Sequence, residues 1–255
     1  MTLNRRDFIT QSSLLISLPV VGFASQTNAS NLLDTKLKTG DIILFQGDSI
    51  TDARREKDQQ LPNNIDSMGK GYAFLVASYL LSQHAEKALT IYNRGISGNK
   101  VYQLQERWQK DVIDLRPNWV SILIGVNDYW HKRKHGYKGT VALYKNDLRA
   151  LIQNTLDELP GVQIVLCEPF ILPNTSAVDA SWLKPFKAYQ KVVFELAQEF
   201  KTLWVPFQSI FNEAIKQADA TYWTPDGVHP SMAGSQLMAN AWLEVVNNSL
   251  DINLK

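Results

Sequence analysis

Five short apolar runs, at residues 42–47, 89–93, 119–125, 162–167 and 202–206, alternate along the chain with stretches whose apolar residues recur three and four apart. This alternation limits the fold more than any other feature. A run that is apolar along most of its length, such as "IILF" at 42–45, reads as a strand buried on both faces. The stretches at 71–83, 101–115, 140–159 and 182–200, and a last one after Pro230, carry helical period. Strand and helix in turn imply a parallel sheet wrapped on both faces by helices, because parallel strands must be joined by crossovers.

Length and composition fit one core. With 255 residues and 45% hydrophobic content the chain buries a single large interior, and no composition shift divides it. The first 29 residues differ: Arg5 and Arg6, an apolar stretch interrupted by Pro19, then small and polar residues up to Ala29. That is the layout of a signal peptide, too short to span a bilayer as a stable helix. "NRRDFI" resembles a twin-arginine export signal, an ordinary secretory signal being the alternative. The expected organisation is a signal at 1–29 and one catalytic domain at 30–255, periplasmic or secreted, with no stable membrane anchor.

Cys167 is the only cysteine, so no intramolecular disulfide forms, and its apolar surroundings mark it as a small core residue. A net charge of +1 without a long basic stripe gives no footprint for nucleic acid. The densest basic run, "HKRKHGYK" at 131–138, reads as a solvated loop.

In an open parallel sheet, ligands bind beyond the carboxyl ends of the strands. The segments expected there are "GDSITD", "NRGISGN" and "GVNDYW", joined by "TPDGVHP" before the last helix. Ser49 reads two ways, as a helix cap in a capping box with Asp52 or as a nucleophile. A nucleophilic serine needs a base, and of the four histidines only His229 has an aspartate, Asp226, three residues before it and a proline after it. Asp226 would fix the tautomer while His229 takes the serine proton; the alternative is that "PDG" is simply a turn. Three donors could serve an oxyanion: the backbone N–H of Ser49, that of Gly98, and the amide of Asn127, which also reads as a helix N-cap.

These four blocks, in this order, resemble the SGNH, or GDSL, hydrolase family over essentially the whole chain after the signal. The resemblance implies a three-layer α/β/α flavodoxin-like sandwich with a five-stranded parallel sheet, ester hydrolysis, and no cofactor or metal. Carried over residue by residue, it implies a catalytic triad of Ser49, Asp226 and His229 and an oxyanion hole of Ser49, Gly98 and Asn127. The run from Asn93 to Trp130 is most similar to bacterial carbohydrate esterases of the acetylxylan esterase type, and related lysophospholipases and thioesterases share its blocks.

The expected partner is therefore an acetylated oligosaccharide or another small ester, and assembly into a homo-oligomer is compatible with the sequence. Asp48, Trp130 and Trp223 are the candidates for substrate contact, tryptophan because its face suits the apolar face of a sugar ring. Two other classes predict different behaviour. A nucleotide-binding module would use "QGDSITD" as an anion-binding turn and leave "DGVHP" without a role, and a silent carbohydrate-binding protein would be indifferent to Ser49→Ala.

Overall fold

A computed structural model describes residues 37–248, so the expected signal at 1–29 lies outside the described residues. In chain order the elements are β1 Ile42–Gly47, α1 Ser49–Asp52, α2 Ile65–Met68, α3 Tyr72–Gln83, β2 Thr90–Asn93, α4 Val101–Asp111, β3 Trp119–Leu123 and α5 Val126–Lys134. They continue as α6 Val141–Glu158, β4 Gln163–Cys167, α7 Leu183–Phe200, β5 Leu203–Val205, α8 Phe207–Ala214, α9 Ala220–Trp223 and α10 Met232–Asn248. Every strand pairing is parallel and the order is β2-β1-β3-β4-β5, so β1 runs between β2 and β3. On one face α10 packs against α3, and on the other α4, α6 and α7 lie side by side.

Aromatic side chains pack against the sheet on both faces. On one, Phe45 of β1 meets Tyr72 edge-on at 5.8 Å and Trp242 at 5.3 Å, and the Trp242 N–H donates to Ser121 Oγ of β3 at 3.0 Å. On the other, Trp108 of α4 donates to Thr155 of α6 at 2.9 Å. Removing a fully buried ring such as Trp242 costs about 3–5 kcal/mol. Burial raises the Cys167 thiol to about 12, as befits a core residue.

Two expectations about extent are corrected. Residues 131–134 are not loop but the last turn of α5. The basic side chains suit a helix C-terminus, where the dipole favours cations, and Lys132, Arg133 and Lys134 remain solvated as expected. The helix expected over 101–115 ends at Asp111 and tightens into a 3-10 turn, Ile113–Leu115, before Pro117. Among the described residues no helix is long and apolar enough to cross a membrane.

Candidate active site

The sheet order sets the site. Because β1 lies between β2 and β3, the segment carrying Ser49 leaves the sheet flanked by those carrying Gly98 and Asn127. Ser49 is not the cap of α1. Asp48 holds that position, its Oδ1 accepting the Ile50 N–H at 3.0 Å, and Ser49 follows as the first helical residue with its side chain making no cap bond. Asp48 is 1% exposed, which corrects its expected place against substrate. Burial is the largest influence on its carboxyl and raises it to about 7 against the Ile50 hydrogen bond and the His229 charge.

Ser49 Oγ lies 2.8 Å from His229 Nε2, and His229 Nδ1 lies 2.6 Å from Asp226 Oδ2. Asp226 Oδ1 accepts the backbone N–H groups of Val228 and His229 at 2.9 and 2.8 Å. Desolvation pushes the Asp226 carboxyl up, but these three hydrogen bonds and the histidine's charge together outweigh it and hold the group at about 2. The His229 imidazole moves the other way. Its bond to Asp226 raises its pKa above the ordinary 6.5, with desolvation and the Arg54 charge opposing.

"PDG" is a turn, and the turn also sets Asp226 against His229. Gly227 N–H donates to the Thr224 carbonyl at 3.2 Å, closing a turn that presents Asp226 and His229 to one side. Gly227 has φ +92°, and a Cβ there would sit 2.3 Å from Thr175 Oγ1 and 2.4 Å from the Leu172 carbonyl. Only glycine lets this turn pack against the segment after β4, and Leu172 N–H to Gly227 O at 2.8 Å fastens it there.

The oxyanion candidates are arranged as donors. Neither the Ser49 nor the Gly98 N–H bonds to a protein acceptor among the described residues. Gly98 has φ +82°, a backbone state suited to glycine. Asn127 does not cap α5, since Gly125 holds that place. It is 5% exposed, and its amide nitrogen donates to the Asn99 carbonyl at 3.2 Å. An amide NH₂ has two hydrogens, so one remains for a ligand.

Several residues that hold these segments together went unmarked in the sequence reading. Asp52 accepts Ser97 N–H and Oγ–H, both at 2.8 Å, and pairs with Lys57, which ties the Gly98 loop to α1. Arg107 of α4 reaches Asn99 Oδ1 at 3.0 Å, Gln46 Oε1 at 2.8 Å and Asp111 at 2.6 Å beneath the loops. One signal for it was legible: Asp111 falls in register with buried Val101, Leu104 and Trp108, with Arg107 four residues before it. Asp128 accepts the Val101 N–H at 3.3 Å, and burial raises its carboxyl to about 7.

The candidate tryptophans part ways. Trp130 stays half-buried beside the site, its ring 6.2 Å from that of His229 and edge-on to buried Trp182. Trp223 instead turns its indole N–H to the carbonyls of Ala214 and Ala218 at 3.0 and 3.2 Å, capping the end of α8. Its polar edge is thus engaged at the helix end, and Trp223 is not among the residues that line the cleft beside Ser49 and His229. The open side of the triad is a cleft of about 430 Å³ lined by Arg54, Lys70, Ser97 and Ser235 beside Ser49 and His229. Among the described residues no group of three or more His, Cys, Asp or Glu side chains is placed to hold a metal ion.

Known proteins share this fold. The GDSL-like lipase/acylhydrolase family matches residues 45–237. An acetylxylan esterase of Geobacillus stearothermophilus is 35% identical over 218 residues, which cover 83% of this chain and 96% of that protein. A protein from Parabacteroides merdae, assigned in its crystal structure to the GDSL-like lipases, is 53% identical with a TM-score of 0.81 over 82% of this chain and 97% of its own. The crystal structure of the Geobacillus esterase, Axe2, gives a TM-score of 0.75 at 33% identity over 83% of this chain and 96% of its own. Axe2 has also been solved as catalytic mutants at a serine, an aspartate and a histidine. Fold, element order and sequence agree over most of the chain, so it belongs to the GDSL-like lipase/acylhydrolase family, whose chemistry is the hydrolysis of carboxylic esters.

Proposed function

We propose that the protein is a serine esterase that removes acetyl groups from saccharides, acetylated xylan or xylo-oligosaccharides being the substrate class. The observation that carries the mechanism is the continuous hydrogen-bonded chain from Asp226 through His229 to Ser49 at the mouth of a cleft. Ser49 Oγ attacks the acetyl carbonyl as His229 Nε2 takes its proton, and Asp226 stabilises the imidazolium. The oxyanion is met by the N–H groups of Ser49 and Gly98 and the Asn127 amide. Collapse of the intermediate returns the proton from His229 to the leaving sugar oxygen and leaves an acetyl-enzyme. A water activated by His229 then releases acetate, and the serine proton is restored.

The substrate class rests on two supports. Identity to an acetylxylan esterase is 35%, and among apolar Ile50, Ala53 and Pro230 the cleft carries the hydroxyls of Ser97 and Ser235 and the cations of Arg54 and Lys70, groups that can meet a hydroxylated alcohol. Trp130 beside His229 offers a face to a sugar ring. The signal-like residues 1–29 fit this reading, since acetylated polysaccharide is met outside the inner membrane.

The test is acetate release from acetylated xylo-oligosaccharides beside hydrolysis of short- and long-chain aryl esters. Acetate release with a preference for short acyl chains, both lost in Ser49→Ala by about 10⁴-fold or more, is the expected result. Activity confined to long chains would move the protein to the lipolytic branch, and unchanged turnover by Ser49→Ala would end the mechanism.

A further inference from the structure

Arg54 and Lys70 line the cleft together with Ser49 and His229, yet the steps of ester hydrolysis use neither. Several basic side chains sit on a carboxylate, such as Lys145 and Lys191 on Glu195, Arg149 on Glu199, Lys216 on Glu213 and Arg133 on Asp179. The solvated cations Lys132, Lys184 and Lys187 lie away from the cleft, whereas Arg54 and Lys70 line it beside Ser49 and His229. Among the described residues the side chains of Arg54 and Lys70 have no such partner. A second cleft of about 300 Å³ adjoins the same two side chains and carries Glu56 and Asp66, but neither forms an ion pair with them.

The backbone that holds these cations at the cleft is unusual. Ala53 and Arg54 both have positive φ, 45° and 62°, a state that non-glycine residues keep only where the surroundings enforce it. Here Ala53 N–H bonds to the Ser49 carbonyl and Lys70 N–H to the Ala53 carbonyl, both at 3.0 Å. The buried Arg55 side chain adds a bond to the Gly95 carbonyl at 2.8 Å. The chain thus turns sharply out of α1 just past Ser49 and brings positions 54 and 70 to one wall. The charge of Arg54 reaches His229, where it is one of the influences on the imidazole.

In the acetyl-transfer mechanism His229 hands its proton to the leaving oxygen, so the alcohol half of the ester lies on the His229 side of the cleft. Arg54, whose charge acts on His229, and Lys70 both line that cleft. Building on the deacetylation reading, we infer that Arg54 and Lys70 form a carboxylate subsite for the alcohol half, making an acetylated oligosaccharide that bears a uronic acid the preferred substrate. A guanidinium and an ammonium side by side suit a carboxylate, the first through two parallel hydrogen bonds and the second as a point charge.

The test uses a matched pair: an acetylated xylo-oligosaccharide carrying a glucuronic acid branch, and the same compound with that carboxyl as its methyl ester. Acetate release is followed, so cleavage of the methyl ester is not counted. The free acid should be preferred in kcat/KM by roughly ten-fold at low salt, mostly through KM, with the preference shrinking as salt screens it. In the Arg54→Gln/Lys70→Gln double variant the ratio should fall to near parity, and Arg54→Glu should reverse it. Equal kcat/KM for the two compounds in the unaltered protein, or a preference that survives the double variant, overturns the subsite and leaves deacetylation standing. If neither compound releases acetate while aryl acetates are hydrolysed, the saccharide reading fails and the subsite with it.

Discussion

Asp226→Asn tests the triad most sharply, because it removes a charge and one acceptor while keeping the shape of the side chain. Three donors now converge on Asp226: two backbone N–H groups on Oδ1 and the His229 ring on Oδ2. An amide has one acceptor oxygen. Left on the two backbone donors, that oxygen puts the NH₂ against His229 Nδ1. The ring must then carry its proton on Nε2, pointing at Ser49 Oγ 2.8 Å away, and the serine faces a donor instead of a base. The flipped amide sets its NH₂ against two backbone N–H groups and forfeits two hydrogen bonds, each worth roughly 0.5–1.5 kcal/mol, so the first orientation prevails. A wrong tautomer in a serine-protease triad lowers kcat about 10⁴-fold, or about 5.5 kcal/mol, and the same geometry predicts a similar loss here.

The pH profile supplies an independent sign. His229 is raised chiefly by its bond to Asp226, while desolvation and Arg54 act against it. With Asp226 neutralised the opposing influences remain, so the imidazole titrates lower. Neutral histidine is the active base, so kcat/KM of the unaltered protein is lost as pH falls through the raised pKa. The residual activity of the variant should be lost at a lower pH. Steady-state hydrolysis of 4-nitrophenyl acetate from about pH 4 to 9 reads both effects. A variant within roughly ten-fold of the unaltered enzyme, or an acid limb that moves upward, would refute the assigned role.

Asn127→Ala should lower kcat by about 10²–10³-fold with little change in KM, because the amide acts on the oxyanion alone; a raised KM with kcat intact would remove it from the oxyanion hole. Asp48→Asn should keep the cap on α1, since an amide oxygen still accepts the Ile50 N–H. The Asp48 carboxyl is raised to about 7, so its ionisation costs the fold nothing below its ordinary 3.8 and progressively more as pH rises toward that value. The variant should therefore match the unaltered protein in thermal unfolding near about pH 4 and exceed it near about pH 8, by on the order of 1–3 kcal/mol. A gap that is the same at both pH values would contradict the burial argument.

Most of the fold was legible because strand burial and helical period are local. All five strands lie within the apolar runs that mark them, and the four longest helical stretches appear with ends shifted by a few residues. The blocks "GDS", "GVND" and "DGVHP" were legible for a related reason, since polar residues directly after a buried strand or in a Gly/Pro turn need a purpose beyond packing. Residue type and spacing therefore mark Ser49, His229 and Asp226 as candidates, with a cap and a turn as the competing readings, and the family resemblance supplies the triad. Where two local readings competed, the sequence had no means to choose. Ser49 and Asp48 both suit a cap, and the choice depended on which side-chain oxygen faced the Ile50 N–H inside the fold.

The sequence by itself thus determined the order of elements and the chemical parts of the site. Tertiary structure decided how those parts meet. Ser49 and His229 are 180 residues apart, and what joins them is the strand order that sets β1 between β2 and β3, with the Gly227 turn locked against the segment after β4. It also committed the Trp223 indole to the end of α8, placed Arg107 beneath the loops, and brought Arg54 and Lys70 to one wall. Arg107 reaches 61 residues back to Gln46, while Trp223 reaches only nine and five, and neither contact follows an element's period. They are fixed by complementary packing and shared hydrogen bonds, which leave no periodic or local trace in the sequence.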